Sequence, residues 1–122
     1  MNFEVGDYDA MRLALHAMCE YFAGACIPDD TAFDARLIAG ELLSNALRHG
    51  GGSARLTVEV IGERIRISVK SEKSYRPPVK CPPADVYAEG GRGMFLVDTI
   101  ASSRSYSEEE GVSVVIEFVH LS

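Results

Sequence analysis

The ten residues ELLSNALRHG, 41–50, set a carboxylate, an amide and an imidazole four apart, at Glu41, Asn45 and His49. On a helix each residue advances by about 100°, so side chains spaced by four lie one turn apart on one side. A carboxylate there can take a proton or hold a water. A carboxamide oxygen one turn away can bind a hard cation such as Mg²⁺. The plain reading is a solvated helix face. Two features weigh against it. Asn favours caps and turns over helix interiors. The run also ends in Gly50, Gly51 and Gly52, which let the backbone bend sharply or approach a ligand closely.

A second segment, EGGRGMFLV at 89–97, places glycines ahead of a helix-forming run. Backbone N–H groups at the positive end of a helix suit a phosphate. Alone, such a loop reads by default as turn glycines; its weight comes from sharing a small chain with the Glu/Asn helix and a hairpin.

These residues need elements to position them. Residues 8–25 carry Met11, Leu15, Met18 and Phe22 at helical spacing, with Gly24 and Pro28 marking the end and His16 as a partly exposed structural residue. Asp29, Asp30 or Thr31 offers an N-cap for a helix that runs to about His49. On its wheel Ala35, Ile38, Ala39, Leu42, Leu43, Ala46 and Leu47 form an apolar arc. Asp34, Glu41, Ser44, Asn45, Arg48 and His49 take the polar side.

ARLTVEVIGERIRISVK alternates apolar and polar around Gly62-Glu63, a hairpin pattern that puts Leu56, Val58 and Val60 on one face and Ile65, Ile67 and Val69 on one face. Residues 71–93, rich in Pro and Gly, form a connection long for a compact domain and read as a functional lid or a mobile segment. MFLVDTIA (94–101) reads as a short helix, SYSEEEG as a turn, and VSVVIEFVH as a closing strand, with a short first strand at Asn2–Val5. The order predicts one domain over 1–122 of class α+β: a two-layer sandwich whose mainly antiparallel mixed sheet carries helices on one face.

Composition narrows the partners. In a chain of 122 residues a net charge of −6 argues weakly against a nucleic-acid backbone, which needs a basic face, yet one pocket can still be locally positive for a nucleotide. MNFEVGDYDA has no signal-peptide pattern, and no apolar run reaches the ~18 residues of a membrane span. Cys19, Cys26 and Cys81 read as reduced, inert thiols, which points to the cytoplasm. His16, His49 and His120 are dispersed and make no zinc constellation.

Together the two segments resemble the GHKL ATPase superfamily, the Bergerat-fold nucleotide binders, over roughly residues 8–119. Size and order are similar to the stand-alone anti-sigma factor serine kinases. ELLSNALRHG resembles the N box, in which a Glu precedes an Asn by four and the motif often ends in His-Gly. GGRGMFLV resembles the second glycine box. The resemblance implies ATP with Mg²⁺. Asn45 would be the metal ligand and Glu41 the general base. Gly91, Arg92, Gly93 and Met94 would surround the phosphates, with His49 and Arg48 at the entrance. It further implies a sigma factor and a STAS-domain anti-anti-sigma protein as partners, and a homodimer. An uncovered VSVVIEFVH would be a tempting edge for such pairing.

One motif departs. The family's Asp-x-Gly, which holds the adenine amino group and leaves room for the base, falls on Ser71-Glu72-Lys73. A serine accepts without charge, at a cost of about 1.5–3 kcal/mol. Lys73 in place of glycine would fill the base pocket. Glu72 is one position off register and would serve only in a bulged strand. Two readings stay open: an ATP-dependent serine kinase, and a non-catalytic partner-binding module of the same fold. A module cut from a sensor kinase or topoisomerase fits less well, since no phosphoacceptor helix pair is present.

Overall fold

The computed structural model describes residues 1–73 and 91–119. The expected lid over 74–90, Cys81 and His120 lie outside the described residues. The order is β1 (Asn2–Val5), α1 (Tyr8–Gly24), α2 (Asp29–His49), β2 (Ala54–Ile61), β3 (Arg64–Ser71), α3 (Gly91–Ile100), β4 (Ser103–Ser107) and β5 (Gly111–Glu117).

Helix α1 starts where Asp7, in extended backbone, accepts the Ala10 N–H at 2.7 Å, satisfying one donor that the first turn leaves unpaired. The cap of α2 differs from the expectation. Neither Asp29, Asp30 nor Thr31 caps it; Pro28 does, with no side-chain hydrogen bond. The two aspartates stand inside the first turn, where negative charge meets the positive helix end.

The five strands run in the order β1-β2-β3-β5-β4 with every neighbouring pair antiparallel, so the sheet is antiparallel throughout. The sequence reading placed no strand at β4, because SRSYS has little strand propensity of its own. It pairs with β5 from Ser103↔Val115 to Ser107↔Gly111. SYSEEEG therefore divides: Ser105–Ser107 finish β4, and 108–110 form the turn, where the Glu110 N–H donates to Ser107 Oγ at 3.0 Å. The apolar closing strand is also not an edge. β5 lies between β3 and β4, and the sheet edges are β1 and β4.

Alternation sends Leu56, Val58, Ile65, Ile67, Val69, Val112, Val114 and Ile116 to one face, where they are buried under the helices with Leu15, Met18, Phe22, Ile38, Leu42, Leu43, Met94 and Val97. Each large apolar side chain buried this way stabilises the fold by about 1.5–3 kcal/mol. The opposite face is polar. Asn2, Thr57, Ser68, Ser113 and Ser105 share one cross-strand register, with Thr57 Oγ1 donating to Asn2 Oδ1 at 2.8 Å and the Ser68 and Ser113 hydroxyls 2.9 Å apart. The two-layer arrangement with helices on one face holds. Among the described residues no helix is long and apolar enough to cross a membrane.

Candidate functional site

Asn45 does not stand on the solvated side of α2. It is 1% exposed. On the wheel it borders Ile38 and Leu42, and that border is buried in the folded chain. Its Oδ1 accepts a hydrogen bond from Arg48 Nη2 at 2.8 Å, and its Nδ2 has no partner among the described residues. The orientation follows from the partner, because the reverse placement would set amide donors against guanidinium donors. A buried donor left unpaired costs about 1–3 kcal/mol, and such groups are retained chiefly where function needs them. One turn earlier Glu41 is half-buried, with no hydrogen-bond or ion-pair partner among the described residues. A carboxylate not committed to a neighbour can take up a proton.

The end of α2 is joined to the end of β3. Gly50 donates its N–H to Ala46 O at 2.8 Å, closing the helix. A Cβ at Gly50 would stand 2.3 Å from Ser71 Cβ and 2.7 Å from Ala46 O, so Ser71 is seated directly on the glycine. Lys73 N donates to Gly50 O at 2.7 Å and Glu72 N to Ser53 O at 2.9 Å. Between these bonds the chain turns through Gly51 at φ 95°, a conformation that costs glycine little.

Ser71 Oγ donates to Lys73 O at 2.5 Å, and its lone pairs still face any donor brought beside it. The β2–β3 register continues without a bulge through Ala54↔Ser71. Ser71 therefore shares the helix-facing side with Ile67 and Val69, and Glu72 does not take the place of the absent aspartate. Glu72 is exposed, its Oε2 accepting from Ser53 Oγ at 3.3 Å. The Lys73 chain lies at Gly51, with Cγ 3.0 Å from where a Cβ would be.

Gly91, Arg92 and Gly93 form the first turn of α3 instead of preceding it, and α3 packs against α2. The first turn of a helix leaves its backbone N–H groups without partners inside the helix, at its positive end. Met94, expected among the phosphate contacts, is a core residue at 0% exposure, so its side chain serves packing. His49 is exposed at the last position of α2.

The fold thus brings Glu41, Asn45 and, through Gly50, Ser71 toward the same end of α2, with α3 alongside. The sequence reading set Arg48 at the entrance and missed it as the partner of Asn45, although a spacing of three on a helix was a usable signal. Nothing local announced the Gly50–Ser71 contact. The expected Mg²⁺ does not fit the Asn45 oxygen in this arrangement, since that oxygen is buried and held by a permanent cation.

No curated protein matches the sequence. The histidine kinase-like ATPase domain family matches residues 5–118, a span that begins in β1, passes through both glycine-flanked helices and ends just past β5. With so much of the chain inside one family pattern, and the Glu/Asn helix in its middle, the chain belongs to the histidine kinase-like ATPase domain family.

Proposed function

We propose that the protein binds ATP at the end of α2, against the end of β3 and the start of α3, and uses it to phosphorylate a serine of a STAS-domain anti-anti-sigma partner, thereby controlling a sigma factor in the cytoplasm. The observation that carries this reading is the pairing, one turn apart, of a half-buried Glu41 with a buried Asn45, the carboxylate and the amide donor both without a partner among the described residues. Glu41 accepts the proton of the attacking serine hydroxyl as its oxygen bonds to the γ-phosphorus. The bond to the bridging β–γ oxygen breaks, and ADP leaves with that electron pair. The first-turn amides at Gly91 and Gly93, with Arg92, hold the phosphates, and the Ser71 hydroxyl accepts the adenine amino hydrogen. No step is assigned to Mg²⁺, for the reason given by the Asn45 oxygen.

A second reading, a non-catalytic module that acts by contact alone, is favoured by Lys73 standing at the position where the family carries the glycine that leaves room for the base. The two separate in one assay. Purified protein is incubated with γ-labelled ATP and STAS-domain proteins, beside a Glu41→Gln variant. Label on a partner serine that disappears with Glu41→Gln supports the kinase. Partner binding without label, and without nucleotide, supports the contact module. A homodimer belongs to the same proposal; with β5 covered, its edge contact would use β1 or β4, and a monomeric mass by light scattering contradicts it.

A further inference from the structure

We infer that the Asn45–Arg48 couple is an anion-binding pair that takes the place of a metal, so that nucleotide binds here without a divalent cation. The inference rests on the nucleotide reading above. A metal-binding asparagine must offer its carboxamide oxygen. Here that oxygen accepts from Arg48 Nη2 at 2.8 Å, which fixes the side chain's orientation and leaves Nδ2 as its only uncommitted polar atom. What the pair offers a ligand is a donor and a positive charge. Asn45 contributes an N–H with no acceptor among the described residues, buried with its residue 1% exposed, and Arg48 a guanidinium that stays protonated at any working pH. A phosphate oxygen complements both. A second cation at the same oxygen would stand against the first. The phosphate chain's charge, which a metal ordinarily offsets, is met by Arg48.

The couple depends on one turn of helix. Arg48 reaches Asn45 because it sits three residues on, in the last turn of α2, with its own residue exposed. Removing its head group changes the site without opening the core.

Calorimetric titration with ATP, in excess EDTA and in millimolar MgCl₂, tests this on the wild type, Arg48→Ala and Arg48→Lys. The wild-type dissociation constant is expected to change less than about threefold between the two buffers. Arg48→Ala is expected to weaken binding in EDTA about tenfold or more and to gain a dependence on Mg²⁺, with Arg48→Lys between the two. The Asn45 side-chain amide signals, assigned by their loss in Asn45→Leu, are expected to move when ATP is added in EDTA. A wild-type affinity that falls tenfold or more on removing Mg²⁺ overturns the inference and leaves the nucleotide reading standing. Equal binding by Arg48→Ala and wild type in EDTA, or unmoved Asn45 signals on saturation, also overturns it. No binding in either buffer removes the nucleotide reading and the inference together.

Discussion

At the turn of the β2–β3 hairpin, Gly62 has φ 60° and a Cβ added there would meet nothing within 4 Å. At the other end of the same two strands, Gly50 has an ordinary φ of −107°, and a Cβ added there would stand 2.3 Å from Ser71 Cβ. The first glycine answers a conformational demand and the second a demand for space. The difference separates a piece of scaffold from a piece of the proposed site. A hairpin turn has only to reverse the chain. The open end has to fuse the last turn of α2 to the last residues of β3, so that Glu41, Asn45 and Ser71 keep fixed positions relative to one another.

Gly50→Ala should show the largest effect. Forcing a methyl against Ser71 and the Ala46 carbonyl is expected to cost about 3 kcal/mol and lower the melting temperature by roughly 10 °C. Ser71→Gly in that background should recover only part of the loss, because the contact with Ala46 O persists; full recovery, measured by a double-mutant cycle, would mean that Ser71 alone sets the clash. Gly62→Ala should cost about 1–2 kcal/mol, for its left-handed backbone alone. Thermal melts giving equal losses at Gly50 and Gly62 would erase the distinction between the two ends.

Smaller and opposite in sign is Asn45→Leu. It removes an orphaned buried donor, and Arg48, already exposed, loses only its bond to the Asn45 oxygen. Chemical denaturation should show stability unchanged or raised by up to about 1 kcal/mol, while ATP binding is lost. A clear destabilisation would make Asn45 a structural residue. An effect of similar size belongs to the polar face of the sheet. Ser68→Ala strands its hydroxyl partner and should cost about 1 kcal/mol. Adding Ser113→Ala should bring the loss back toward zero, a coupling that denaturant melts of the singles and the double can read.

The same contrast explains what the sequence discloses. Gly62-Glu63 between two alternating runs is a local signal, and so are the periodic apolar positions of α1 and α2; each was readable because its partners lie within a few residues. The Glu-x-x-x-Asn spacing was readable because both residues ride on one helix. β4 was not, since SRSYS becomes a strand through its pairing with β5 and not through its own propensity. Asn45 lies at the border of the apolar arc, where a wheel cannot say which side the next layer covers. Met94 carries no local sign of whether it faces the core or a ligand; burial under the packed helices decided it. The seating of Ser71 on Gly50 joins residues from different elements, and no local pattern encodes it.

The central claim is that α2 ends in a nucleotide site whose buried asparagine keeps an unsatisfied donor for the ligand. Calorimetric titration of the wild type and Asn45→Leu with ATP tests it most directly. The account predicts binding in about the micromolar range for the wild type and none for a folded Asn45→Leu. No heat from the folded wild type at millimolar ATP, or equal binding by the two proteins, would contradict it.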